Sequence, residues 1–214
     1  MSALAQWEYY SVWTIIGAIW SILTYWLMFS ERGKALLSNP LFIIPAAAAM
    51  VPSIWFVSSE ILRLAELANG ISPLDAQYGY GVDQINELAL ALGNSGRAEY
   101  AAFQLGVDTL APPAFACFLM AVYRSTVQSK QVQRALTVLA FTYFTSVLIA
   151  NAFTPVIFHN YPDAETGLLP LLYAVIPKFD LAKYSTHGIA WLVIFGTWIW
   201  QIGNWGVARF AAKK

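Results

Sequence analysis

The chain has 214 residues, of which 58% are hydrophobic, 15% aromatic and only 11% charged. Soluble domains carry about a quarter charged residues, so this composition belongs to a membrane protein. Twelve basic residues balance twelve acidic ones, and with no net charge the chain lacks the basic field that nucleic acid requires.

The single cysteine, Cys117, excludes an internal disulfide and a cysteine-based metal cage. It reads as a small buried side chain within an apolar segment. The N-terminus, MSALAQWEYY, shows no basic region ahead of its apolar run and no small-residue cleavage site, so the first helix is expected to stay in the mature protein. Neither end carries a lipidation motif.

Five spans are expected in chain order. Residues 10–29 are an uninterrupted apolar and aromatic run of the ~20-residue length that crosses a hydrocarbon core. SERGKALLSN is read as a polar turn. Residues 41–62 form the second span, interrupted by Pro45 and Pro52 and ending in Ser58, Ser59 and Glu60. Its fully apolar part is at the short end of the spanning range.

Residues 63–99 are read as the longest extramembrane segment, with an amphipathic stretch, Val82 to Leu92, expected as a short interfacial helix. Asn94 or Ser95 is a candidate cap for the third span, residues 100–123. That span holds Asp108 and the pair Pro112-Pro113. A carboxylate near the bilayer centre costs roughly 2.5–3.5 kcal/mol on insertion scales, so it is expected to face protein, water or a ligand. Two prolines remove two backbone donors and are expected to bend the helix where neighbours satisfy the freed carbonyls.

The fourth span is 135–158, with Asn151, Thr154 and Pro155 towards its far end. In the segment 159–186, LLPLLYAVIP is too short to span and is expected to lie on the surface or re-enter. The fifth span is 187–206, with Trp191, Trp198, Trp200 and Trp205. Tryptophans at both ends of the first and fifth spans read as interface anchors. The fold class is therefore all-α: one polytopic helix bundle, with loops too short for a separate soluble domain.

Lysines and arginines set orientation. Arg124, Lys130 and Arg134 lie in the 3–4 loop, and Arg209, Lys213 and Lys214 in the tail, against Arg63 and Arg97 over the longer 2–3 segment. The bias predicts the N-terminus outside and the C-terminus in the cytoplasm. Were the second span not a true crossing, the N-terminus would move inside.

At ~1.5 Å per residue, Asp108 sits about 12 Å below the outer end of its helix and Asn151 about 10 Å below its own. A polar pocket opening outward is expected, lined by Glu60, Asp108, Thr109, Asn151 and Thr154, since clefts between bundle helices commonly take small ligands. Asp108 and Glu60 are the acid/base candidates. The structural reading has Asp108 protonated and bonded to Asn151 or a freed carbonyl, as interhelical glue worth about 1 kcal/mol. Glu60 also reads as a solvated helix end. His159 and His187 flank helices, but their spacing matches no metal motif, and no metal is expected. His187 is the usual residue type for an axial ligand, so a bound pigment as well as a bound lipid has a place to sit, while no cofactor is required. Phosphate-loop and nucleophile motifs are lacking.

The layout resembles the emopamil-binding or EXPERA family of sterol isomerases and lipid-binding proteins. The residues concerned are Glu60 ending helix 2, Gly96-Arg97 and Tyr100 entering helix 3, Asp108 within it, and Trp191-Leu192-Val193 in helix 5. The chain has Phe56 where those isomerases carry a histidine one turn before the helix 2 acid, and Gly188 or His187 near their helix 5 asparagine. The resemblance implies a sterol-sized pocket with Asp108 and Glu60 as acid/base groups, and Phe56 tells against catalysis.

Three functions are open at this point. The first is a non-catalytic subunit or accessory protein whose aromatic surfaces dock on other membrane subunits. The second is a small lipid- or sterol-handling enzyme or binder using the pocket around Asp108. A proton-coupled transporter is the third, and the absence of an internal repeat tells against it.

Overall fold

A computed structural model describes residues 3–211, with side chains described for 9–205. Lys213 and Lys214 of the basic tail lie outside the described residues. The described chain is helical throughout, with no strand. Seven α-helices follow one another: α1 Ala3–Phe29, α2 Glu31–Leu37, α3 Ile43–Leu67, α4 Val82–Leu105, α5 Ala111–Thr126, α6 Lys130–Asn160 and α7 Leu169–Ala211. Short 3-10 turns occupy Pro40–Phe42, Leu74–Ala76 and Val107–Thr109.

Among the described residues, four helical segments are long and apolar enough to cross a membrane: Tyr9–Phe29, Pro40–Leu67, Val82–Thr126 and Lys130–Asn160. The second span, short by its apolar core alone, reaches 28 residues because helix continues past Glu60. The expected fifth span, 187–206, lies within α7 but is not one of these four. Its tryptophans, with Gln201 and Asn204, lower its mean hydropathy.

Local chemistry explains most boundaries. The turn after α1 is itself a helix, because the Ser30 hydroxyl accepts the Gly33 N–H at 2.9 Å and caps α2. Ser129 caps α6 in the same way through the N–H of Val132. The stretch expected as a short helix, Val82 to Leu92, is a helical piece of its own: α4 is two helical pieces that meet at a kink at Gly93, whose φ 60° and ψ −173° are open essentially to glycine alone. The Asn94 side chain accepts from the Arg97 guanidinium.

The prolines act differently from the expected bend. Pro112 and Pro113 fall in the first turn of α5, where the missing N–H groups have no helical partner to lose. The chain breaks just before them: α4 ends at Leu105, Gly106 leaves helical geometry, and Val107–Thr109 makes one tight turn. The result is a discontinuous span with Asp108 in the gap. Likewise LLPLLYAVIP is no isolated surface piece. It opens α7, and Leu169, Leu172, Tyr173 and Ile176 are buried in the core.

The discontinuous span is the centre of the bundle. In its most apolar stretch 78% of residues are buried, against 22% for α1 and 11% for α3, so the latter two are peripheral. α5 packs on α1, α3 and α6, while α6 also packs along α4 and α7. Two apolar clusters form the interior: one around Tyr100, Phe103, Leu88 and Phe158, the other around Leu119, Met120, Tyr123 and Leu136. Asp108 lies at the break between the α4 and α5 halves. The outer faces of α1 and α3 carry Ile15, Ile19, Ile22, Ile44 and Trp55, exposed as lipid-facing residues are.

Candidate functional site

The side chains that meet near the break come from five parts of the chain. A cavity of about 260 Å³, open on one side, is lined by Val57 and Ile61 of α3, Asp75 of the 68–81 loop, Asp108, Ala111 and Pro112 at the break, Tyr143 and Val147 of α6, and Lys183, Tyr184 and His187 of α7. One wall is apolar and the other ionisable. Such a division suits the polar end of an amphipathic molecule.

Lys183 organises the ionisable wall. Its ammonium is 3.0 Å from Asp180 Oδ1 and 3.7 Å from Asp75 Oδ1. Burial alone pushes that ammonium down, but the carboxylates of Asp75 and Asp180 outweigh it and hold its pKa above the ordinary value. Asp75 also accepts hydrogen bonds at Oδ2 from the Tyr100 hydroxyl, at 2.8 Å, and from the Gln104 amide. The Tyr100 hydroxyl in turn accepts the N–H of Leu74 at 3.2 Å, which ties the loop to α4. Tyr184 donates to the backbone carbonyl of Asp75, and Tyr80 donates to Asp180. Burial and the adjacent Asp180 keep the Tyr80 phenol well above its usual range, so it remains a donor.

Other groups around the cavity are not committed in this way. Asp108 is 6% exposed, and its Oδ2 is buried without a hydrogen-bond partner. His187 makes no side-chain hydrogen bond; its ring stacks on Phe115 at 4.4 Å between centroids and meets Tyr143 edge-on at 5.7 Å. A free acid and an imidazole therefore line a cavity whose other charges are internally paired.

The five residues expected to share one pocket are parted. Asp108 lines the cavity. Thr109 and Asn151 line a separate groove of about 370 Å³ between α1 and α6, with Thr14, Gly17, Ala18 and Ser21 on its α1 wall. Asn151 still stands against Asp108, across the wall between the two spaces. Thr154 is buried on α6 and lines neither. Glu60 is held elsewhere: Arg63 donates to it at 2.9 and 3.1 Å and also engages Glu99 and the Tyr10 hydroxyl. It is therefore neither a solvated helix end nor a lining residue of the cavity. The spans converge as helices do, but a helical turn rotates Glu60 and Thr154 off the face that meets Asp108.

Asp75, Tyr143, Asp180, Lys183 and Tyr184 are additions that the sequence reading did not single out. Asp180 and Lys183 left a legible signal, an i, i+3 acid–base pair in an otherwise apolar helical stretch. Asp75 left none, because a loop residue has no periodicity to place it.

Fold and site together define a class: an all-helical membrane bundle built round a discontinuous central span, with a buried charged cluster beside the break. The chain matches no known family, no curated protein and no solved structure when compared with them.

Proposed function

We propose that this protein binds the polar end of a small amphipathic molecule, lipid or sterol-like, in the cavity beside the helix break, with Asp108 as the group that receives it. The observation behind this reading is that Asp108 lines the cavity with no cation within ion-pairing distance, while Asp75 and Asp180 beside it are held by Lys183. A buried carboxyl without a charge partner is costly, and a ligand donor lessens that cost. At about 260 Å³ the cavity suits a head group or ring, with the rest of the molecule against the apolar wall of Val57 and Ile61. Chemistry on the bound molecule would fall to Asp108 and His187 as proton-exchanging groups; binding alone needs only the former.

A photo-crosslinking residue at Ile61 tests the reading. It is expected to capture one molecular species selectively, whereas the same group at Ile19, on the exposed face of α1, captures bulk lipid. Identical bulk-lipid adducts at both positions would remove the support for a ligand cavity.

The second reading is a non-catalytic subunit of a larger membrane assembly. It is favoured by the groove between α1 and α6, whose small α1 residues Ala18 and Ser21 leave room for a close helix–helix contact. Stoichiometric protein partners after gentle purification would favour it. For orientation we keep the N-terminus outside and the C-terminus cytoplasmic, which requires the second half of α7 to cross the membrane. Side-specific labelling of single cysteines tests this: positions Glu31 and Lys214 are expected to react from the cytoplasmic face and Asp163 from the outer face.

A further inference from the structure

The described charges are divided between the two ends of the bundle. At the end where α1 passes into α2 and α5 into α6, Arg32, Lys34, Arg124, Lys130 and Arg134 gather, and Glu31 is the one carboxylate there among the described residues. The opposite end holds the carboxylates of the charged cluster and of the Arg63 network. Glu31 is taken by Lys34 at 2.6 Å. Arg32, Arg124, Lys130 and Arg134 make no ion pair among the described residues.

Packing brings these cations to one face. The Gln133 amide in the first turn of α6 donates to the carbonyls of Arg124 at 3.3 Å and Val127 at 2.7 Å, and its Oε1 accepts from the Lys130 ammonium at 3.4 Å. One side chain therefore holds Lys130 against the last turn of α5, where the half-buried Arg124 guanidinium lies over the Tyr123 ring at 5.8 Å. α2 lies across the same end. It packs on α5, with Leu37 buried in the cluster of Met120 and Tyr123, and with Gly33 so near the Leu27 backbone that a Cβ would come within 2.5 Å of it. Arg32 and Leu36 of α2 are left exposed. α7 joins through Trp198, whose indole N–H donates to the Thr126 hydroxyl at 2.9 Å, and through Gln201, whose amide donates to the Thr126 carbonyl at 3.2 Å. Trp200 stands beside them, exposed.

We propose that this end of the bundle binds the head group of an anionic phospholipid, with its phosphate between Arg124 and the first turn of α6. The complementarity is one of charge: four cations without carboxylate partners stand at the level where the spans end, which is where lipid phosphates lie. A guanidinium matches two phosphate oxygens at once, and an ammonium adds a point charge. Cations set beside exposed Leu36 and Trp200 form the pattern of a membrane surface, so the phosphate belongs to a lipid whose chains are already in the bilayer. The site does not rest on the cavity beside Asp108.

Its test is the binding of phosphatidylglycerol, and of phosphatidylcholine with the same acyl chains, to the purified full chain in detergent, read by native mass spectrometry and by the thermal unfolding midpoint. Phosphatidylglycerol is expected to bind saturably and to raise the midpoint, phosphatidylcholine to do neither, and the difference to shrink with added salt. Lys130→Gln/Arg134→Gln, which alters two exposed side chains, is expected to weaken phosphatidylglycerol by about fivefold per charge removed, and Arg124→Gln by a similar factor. Lys178→Gln, an exposed cation at the opposite end, and Asp108→Asn are expected to leave it unchanged. Equal binding of the two lipids would overturn the proposal, as would phosphatidylglycerol affinity that survives Lys130→Gln/Arg134→Gln. An equal fall in Lys178→Gln would reduce the effect to net charge and overturn it as well. Inorganic phosphate that raises the midpoint as far as the lipid would assign the patch to a free anion, again against the proposal. Should Arg124→Gln fail to fold, Lys130→Gln/Arg134→Gln decides.

Discussion

Lys183 is the residue on which the charged cluster depends. Buried at the centre of two carboxylates, it neutralises charges that would otherwise sit uncompensated beside the apolar wall of Val57 and Ile61. Removing one partner of a buried ion pair costs about 3–5 kcal/mol, so Lys183→Ala is expected to lower stability by that order in detergent-based unfolding. Arg63 offers a contrast. It bridges Glu60 and Glu99 with 38% of its side chain exposed, where water compensates much of a lost pair, so Arg63→Ala is expected to cost markedly less in the same assay. Asp108 differs from both in having no cation within bonding distance, and for that reason it reads as a ligand-receiving group. Its position was legible from the sequence because an acid in an apolar run is conspicuous. Asp75 was not, since its burial follows from hydrogen bonds by Tyr100, Gln104 and Tyr184 that join residues up to 109 positions apart.

At the scale of elements, two glycines and two prolines shape the central span. Gly93 lets α4 change direction with nothing within 4 Å of the Cβ position, so the cost of a side chain there is purely conformational. Gly93→Ala is expected to destabilise the protein by about 1–3 kcal/mol in thermal unfolding, without any new clash. Gly17 serves α1 by the opposite mechanism. A Cβ on it would lie 1.9 Å from Thr109 Oγ1, so α1 approaches the break as closely as its backbone allows. Gly17→Leu is expected to push α1 away and cost about 1–3 kcal/mol from overpacking, and to loosen the break in hydrogen exchange of residues 106–110. The hydrophobic runs told where helix lies, but not where one helix ends and its continuation begins. Val82 to Leu92 reads as separate from residues 100–123 because Asn94, Ser95 and Gly93 look like a loop, and local chemistry alone does not say that buried Ile85, Leu88 and Leu92 anchor the first half to the core. Pro112-Pro113 was legible as a disturbance, though its form, a clean restart of the helix, depended on Gly106 immediately upstream.

Taken as one molecule, the bundle has peripheral helices α1 and α3, a buried discontinuous span, and the long pair α6 and α7 completing the charged side. Its class was legible from composition, since so few charges over so many apolar residues leave a membrane interior as the only solvent that suits the surface. The site was legible only in part: the sequence located the acid at depth, but three-dimensional rotation of the helices decided that Lys183 and Tyr143, not Glu60 and Thr154, face it. The account rests on Asp108 receiving a ligand in that cavity. The most direct measurement is mass spectrometry of the small molecules retained by the gently purified native chain and by Asp108→Asn, after thermal unfolding has shown both to be folded. The account predicts one amphipathic species bound stoichiometrically to the native protein and lost from Asp108→Asn. Native protein with no bound molecule, or the same molecule retained equally by both, would contradict it.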